Sequence, residues 1–203
     1  VRMIMDRLPL PGTLGRICPA PCEEQCRRAE LDSPLSIRNI KRFVADQVDW
    51  ERFPVPLRET QPADQRVAVV GAGPAGLSFA TVAAQRGHAV KLFEKSTIIG
   101  GQFNMANQIP GKEEFNETLR YYRNQLGLTG VETRLQTKAT TEQLLAEKFD
   151  EVILATGVTP RTPDIEGIDH PMVLSYVDVL LHKKAVGRRV AIIGAGGIGF
   201  DVA

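Results

Sequence analysis

The chain has 203 residues, with 25 Lys and Arg against 24 Asp and Glu, a formal net charge of +1. Apolar residues make up 43% and charged residues 24%, the composition of a folded protein and not of a disordered chain. The length allows one large domain or two small ones, and a charge this close to zero offers no broad footprint for nucleic acid or an anionic membrane surface.

No run approaches the roughly 18 apolar residues of a membrane span. The opening segment from Val1 to Arg7 lacks the apolar core and small-residue cleavage site of a signal peptide. We therefore expect a soluble, cytoplasmic protein with no membrane or nucleic-acid partner. Position 1 is Val1, and the chain stops at Ala203 just beyond a glycine-rich motif. We expect a piece of a longer parent.

Residues 1–50 contain all three cysteines, Cys18, Cys22 and Cys26, spaced C-x3-C-x3-C, and the only tryptophan, Trp50. In a cytosolic chain this spacing does not suggest a disulfide framework. Structural zinc sites usually show C-x2-C pairs or nearby histidines, and His88, His170 and His182 are distant in sequence. An iron–sulfur cluster takes four thiolates, so these three cannot complete one alone, and three inert buried thiols are the bland alternative. From Ser36, the residues Ile37, Ile40, Val44 and Val48 recur at helical spacing, with Arg38, Lys41 and Arg42 expected on a solvated face. Residues 51–65 contain three prolines and few periodic apolar residues, which predicts a linker.

Strand and helix patterns then alternate. Val67 to Val70 forms an apolar run that enters a glycine-rich turn, and the next helix carries Leu77, Ala80, Ala83 and Ala84. Val90, Leu92 and Phe93 mark a second strand ending at Glu94. Phe115, Leu119, Tyr122 and Leu126 give an amphipathic helix that Gly127 should stop. Thr140 and Gln143 read as a capping box before a helix from Leu144 to Lys148. Val152 to Ala155 and Val190 to Ile193 read as two further buried strands. The alternation implies an α/β fold with a mostly parallel, Rossmann-like sheet.

Gly71-Ala72-Gly73-Pro74-Ala75-Gly76 follows a strand and opens a helix. The first glycine permits the tight turn, the second lets backbone approach a pyrophosphate, and the third lets helix pack on strand. The helix N-terminus favours the negative charge. Glu94, at the end of the next strand, can accept hydrogen bonds from ribose hydroxyls. The bland alternative is an ordinary turn with a surface Glu. The signature returns at Gly194-Ala195-Gly196-Gly197-Ile198-Gly199, again after an apolar run. Two such units imply two dinucleotide sites, most economically a flavin and a nicotinamide exchanging hydride. The residue selecting NAD or NADP should lie about 20 residues further on, beyond Ala203.

Gly71–Gly76 with Glu94, then Gly100-Gly101, then Ala155-Thr156-Gly157, then the second fingerprint, resembles the two-dinucleotide-binding flavoproteins over residues 66–203. The resemblance implies FAD and NAD(P)H as cofactors. Gly71, Gly73, Pro74, Ala75, Gly76, Glu94 and Lys95 would hold the ADP half of FAD. Gly101 and Gln102 would pass close to the flavin or its phosphates, and Ala155, Thr156 and Gly157 would line the crossover between domains. Gly194, Gly196 and Gly199 would receive NAD(P)H.

Ile99 to Asn104, Gln108 to Phe115, Gly167 to Pro171 and Leu174 to Leu180 are similar to bacterial 2,4-dienoyl-CoA reductases. Gly15 to Glu23, Cys26 and Pro34 to Lys41 look instead like the iron–sulfur domain of glutamate synthase small subunits and dihydropyrimidine dehydrogenases. That second resemblance implies that Cys18, Cys22 and Cys26 serve 4Fe-4S clusters, with the remaining ligands outside this chain. A non-cysteine ligand of dihydropyrimidine dehydrogenase falls at Lys41, which as a protonated amine has no lone pair to donate.

No Ser-His-Asp, H-E-x-x-H, P-loop or EF-hand spacing is present, so no catalytic residue is assigned. Asp169-His170 before Pro171 reads as a turn with an exposed histidine. The expected organisation is the end of a helical iron–sulfur domain at 1–50, a linker at 51–65, an FAD-binding part at 66–160, and at 161–203 a crossover and the start of an NAD(P)H-binding domain. The expected function is NAD(P)H-dependent reduction of FAD and then of iron–sulfur clusters, as in a glutamate synthase small subunit working with a larger subunit or fused domain. The alternatives are a 2,4-dienoyl-CoA-reductase-like enzyme and a non-catalytic electron-transfer subunit.

Overall fold

The computed structural model of the protein describes residues 2–5, 8, 10–49 and 65–203. The chain divides into two compact units, Val1–Leu57 and Arg58–Ala203. The expected linker, 51–65, lies outside the described residues except for Gln65.

The first unit is helical: α1 (Arg2–Met5), α2 (Pro11–Ile17), α3 (Pro21–Glu24) and α4 (Ile37–Asp46), with a 3-10 turn at Arg27–Glu30. Helices α2 and α4 approach closely because Gly15 has no side chain. A Cβ there would lie 2.8 Å from the Cα and N of Arg42. Arg16 Nη2 ties the same pair by donating to Asp46 Oδ1 at 2.8 Å. The expected apolar stripe holds in part, with Ile37, Val44 and Val48 half-buried. Ala45 is buried, Ile40 is 52% exposed, and Val48 lies beyond the end of α4. Arg42 meets Gly15 through its backbone while its side chain stays exposed, and Ala45 is the fully buried position of α4.

The second unit contains β1 (Arg66–Val70), α5 (Pro74–Gln85), β2 (Ala89–Phe93), α6 (Phe103–Ala106) and α7 (Phe115–Thr129). It continues through β3 (Glu132–Arg134), α8 (Thr141–Ala146), β4 (Glu151–Leu154), α9 (Tyr176–Leu180) and α10 (Gly197–Val202). The four strands are parallel in the order β3-β2-β1-β4, so the chain steps outward on one side of β1 and then crosses to the other. This is the expected Rossmann-like α/β arrangement. Its core joins Val67, Ala68 and Val69 of β1 and Leu92 and Phe93 of β2 to Leu77 and Ala80 of α5. From α7 it adds Leu119, Tyr122 and Leu126. Small residues on α5 let the helix lie close to the sheet.

Several local readings change. Helix α7 runs through Gly127 and stops at Gly130, whose left-handed φ of 70° ends the helix while its N–H reaches back to Gly127 O. Thr140 does cap α8 through its hydroxyl, which accepts from Gln143 N at 3.2 Å. That helix, however, spans Thr141–Ala146, and the Gln143 side chain donates to Glu147. A reciprocal capping box sits instead at Ser175 and Asp178, opening α9. Strand β4 is the sheet edge, so Val152 and Leu154 are 41% and 74% exposed, not buried as expected. Residues 190–193 form no strand: Val190 and Ile193 are 58% and 72% exposed. A strand exists only by pairing, and the described sheet ends at β4.

Candidate dinucleotide site

The site is assembled where β1 ends. Gly71 takes φ +107°, and its N–H donates to Phe93 O at 2.8 Å, turning the chain away from the sheet. A Cβ on Gly71 would lie 2.3 Å from Ala155 O. A Cβ on Gly76 would lie 1.9 Å from Gly71 O and 3.3 Å from Ala155 Cβ. The turn is therefore pressed between α5 and the end of β4. Gly73 differs: a Cβ there meets nothing within 4 Å. The middle glycine faces open space at the N-terminus of α5, where Pro74 occupies the first turn and Ala75 and Gly76 present amides that a helix cannot pair internally.

Glu94 closes the back of this turn. It is 7% exposed, its Oε2 accepts from Ala72 N at 2.7 Å, and its Oε1 accepts from Ser96 N at 2.8 Å. Burial pushes the carboxyl's affinity for its proton up, and the two backbone amides outweigh it, so the group is held below the ordinary carboxylate range. The surface-Glu alternative is excluded. The next residue, Lys95, is exposed.

The loop 99–102 packs on the same turn. Gly100 N donates to Ala72 O at 2.7 Å, and a Cβ on Gly101 would lie 3.0 Å from Gly73 Cα. Gln102 Nε2 donates to Val158 O at 3.0 Å, drawing the loop toward the segment after β4. Ala155 N donates to Val70 O, and Thr156 and Gly157 continue outward as exposed residues. The first fingerprint, Glu94, Gly101, Gln102, Ala155 and Thr156 thus form one cluster. The Ala72–Glu94 bond has no direct sign in the sequence, although a carboxylate buried at a strand end must find donors.

The second fingerprint repeats the turn. Gly194 has φ +110°, Gly196 caps α10 with ψ 179° as Gly73 caps α5 with ψ 178°, and a Cβ on Gly199 would lie 2.1 Å from Gly194 O. His170 is exposed in a turn, as expected.

In the first unit, Ala20 lies between Cys18 and Cys22 with φ +57°, and its N–H points at Cys18 Sγ at 3.4 Å. Leu35 N points at Cys26 Sγ at the same distance, and with Arg28 these amides lower the proton affinity of the Cys26 thiol. Arg38, expected on a solvated face, is half-buried: its Nη1 donates to Cys18 O at 3.3 Å. Among the described residues no three of His, Cys, Asp and Glu converge on one metal position. Amide-supported thiols suit a cluster's chemistry, and these three do not form a complete site between them.

Residues 65–203 match the pyridine nucleotide-disulphide oxidoreductase family, and residues 1–52 match dihydropyrimidine dehydrogenase domain II, 4Fe-4S cluster. The first match takes most of the chain, and the chain belongs to that family. Their cofactors are FAD with NAD(P)H and a 4Fe-4S cluster. The bilirubin reductase of Mediterraneibacter gnavus is 42% identical over 148 residues, 72% of this chain and 23% of that protein. The NADPH glutamate synthase small chain of Bacillus subtilis is 32% identical over 214 residues, 94% of this chain and 42% of that one. A solved structure of 2-naphthoyl-CoA reductase with 2-naphthoyl-CoA matches with a TM-score of 0.67 at 39% identity. That match covers 73% of this chain and 23% of the solved one. The chain spans less than half the length of each. No helix among the described residues is long and apolar enough to cross a membrane.

Proposed function

We propose that this chain is the electron-entry segment of an NAD(P)H-dependent FAD and iron–sulfur oxidoreductase, similar to a glutamate synthase small chain and cytoplasmic. The observation that carries the reading is the duplicated turn. Gly71 and Gly194 share a positive φ, Gly73 and Gly196 both face open space, and Gly76 and Gly199 both press on the carbonyl of the first glycine, on a chain with a cysteine-bearing unit ahead of both turns.

In this reading, the open face at Gly73 and the first-turn amides of Ala75 and Gly76 hold the FAD pyrophosphate, with Pro74 setting the start of α5. Glu94 orients the adenosine ribose, with Lys95 beside it. Gly101 and Gln102 line the path toward the flavin, and Ala155, Thr156 and Gly157 line the crossover. Gly194, Gly196 and Gly199 receive NAD(P)H, and Cys18, Cys22 and Cys26 contribute thiolates to 4Fe-4S clusters completed by ligands elsewhere. When bound, FAD supplies an acceptor for a two-electron hydride that can release electrons singly to clusters. The protein's part is to bind, orient and exclude water.

A second reading is a 2,4-dienoyl-CoA-reductase-like enzyme, favoured by the likeness to 2-naphthoyl-CoA reductase. The similarity of the glutamate synthase small chain across 94% of this chain supports the first. Anaerobic addition of NADPH or NADH to the full-length protein tests both. Bleaching of a flavin absorption band followed by a reduced-cluster resonance at low temperature is expected. Absence of bound flavin, or flavin that nicotinamide leaves oxidised, overturns the proposal. Turnover of an enoyl-CoA without a partner subunit moves the assignment to the second reading.

A further inference from the structure

Beyond the two fingerprints, a loop between them carries a side chain whose place the dinucleotide reading does not explain. Lys112 Nζ donates to both carboxylate oxygens of Asp201, each at 2.6 Å, and both side chains are about one-third exposed. Asp201 lies on α10, two positions after the last fingerprint glycine. Lys112 ends a tight turn in which its own N–H donates to Ile109 O and Gly111 takes φ +82°. That turn is fixed to the first half of the unit. Ile109 is buried, and Phe103 stacks on Phe115 with ring centroids 4.6 Å apart, locking the flanks of the loop to α7. A second tie runs from the same loop: Lys183 Nζ donates to Gln108 Oε1 at 2.7 Å. One continuous stretch, 100–112, therefore touches the first fingerprint through Gly100 and the second fingerprint's helix through Lys112.

We propose that Lys112 is a positioning residue for hydride transfer, holding α10 through Asp201 so that the second dinucleotide is presented at a fixed angle to the first. The direction of α10 sets where a dinucleotide on its N-terminus extends. Hydride transfer tolerates little error in that placement, since misplacement of about 1 Å can cost roughly a hundredfold in rate. The residue touches neither reacting group. Its effect is geometric, and it rests on the dinucleotide assignments proposed above.

The test uses the full-length protein and stopped-flow reduction of its flavin at saturating nicotinamide. In Lys112→Met and, separately, Asp201→Asn, we expect flavin content at the wild-type level and a flavin reduction rate lower by about tenfold. The nicotinamide dissociation constant should change by much less. The reversed pair, Lys112→Asp with Asp201→Lys, should recover most of the rate. Wild-type rates in both single variants overturn the proposal, as does a reversed pair no faster than the single variants. Flavin that nicotinamide leaves oxidised in the wild-type protein would instead overturn the dinucleotide reading itself, which separates the two failures.

Discussion

The Glu94 carboxylate accepts the Ala72 amide at 2.7 Å, so the acid at the end of β2 and the turn at the end of β1 are fixed to each other before any nucleotide arrives. A buried carboxylate with two backbone donors is a structural tie, and in the proposed reading it also accepts from the ribose hydroxyls. Glu94→Gln places an amide nitrogen or a weaker neutral oxygen against Ala72 N and Ser96 N. We expect a loss of about 1–3 kcal/mol of stability and at least tenfold weaker FAD binding, read by thermal melting and by flavin retention on gel filtration.

The same carboxylate gives a pH signature. Its proton affinity is lowered in the folded state, so its stabilising contribution is complete above the ordinary Glu range and is lost as pH falls through and below it. The wild-type melting temperature should decline from about pH 4.5 downward, and Glu94→Gln should show a shallower decline there. Parallel curves for the two proteins would remove Glu94 from the account.

Glycines within one fingerprint should separate folding from binding. Gly76→Ala puts a methyl group 1.9 Å from Gly71 O, a contact that only backbone movement relieves. It should cost about 3 kcal/mol or more. Gly73→Ala meets nothing within 4 Å and needs no positive φ, so it should melt within about 1 kcal/mol of wild type. It should nonetheless lose flavin, because the methyl group occupies the face left open for the pyrophosphate. Equal flavin content in Gly73→Ala and wild type would place the phosphate elsewhere.

What the sequence made legible follows the range of the forces involved. The glycine turns at Gly71 and Gly194 depend on a few consecutive residues and were readable, as was the α/β class from alternating periodicity. Glu94 was readable as an acid at a strand end, but its bond to Ala72 joins two strand ends and belongs to tertiary structure. Residues 190–193 carry a strand's composition without a strand's partner, so composition misled there. Gly127 lost to Gly130 as a helix stop because a C-terminal cap requires a left-handed residue, which composition does not specify. In the first unit the expected apolar stripe is half-buried at Ile37, Val44 and Val48, while the most buried residue of α4, Ala45, is one the stripe does not contain, because the close approach at Gly15 is a tertiary contact.

The second fingerprint offers a cleaner dissection than the first. Gly199→Ala would place a methyl group 2.1 Å from Gly194 O, while α10 lies outside the four-strand sheet. The first fingerprint and its surroundings should survive intact. We expect full flavin content with nicotinamide binding weakened at least tenfold, measured by flavin spectrum and by titration with NADPH or NADH. Loss of flavin together with nicotinamide would mean that the two turns are not separate sites.

The cysteine-bearing unit yields a prediction about a helix capped from elsewhere in the chain. Ser36, at the N-cap of α4, makes no side-chain cap bond; Glu23 Oε1 instead accepts from Arg38 N at 2.7 Å, in the helix's first turn. A carboxylate at that end is favoured both by the orphan amide and by the helix dipole. Arg38 returns the connection through Nη1 to Cys18 O, so α3, α4 and the start of the cysteine segment are mutually braced. Glu23→Ala removes bond and charge and should cost about 1 kcal/mol, whereas Glu23→Gln keeps an acceptor and should cost less. Arg38→Ala leaves the cap and frees the Cys18 carbonyl. If the brace serves the thiols, Glu23→Ala and Arg38→Ala should both lower iron and sulfide content in the full-length protein, with Glu23→Gln between them and wild type. Undiminished iron in Arg38→Ala would confine the brace to helix packing.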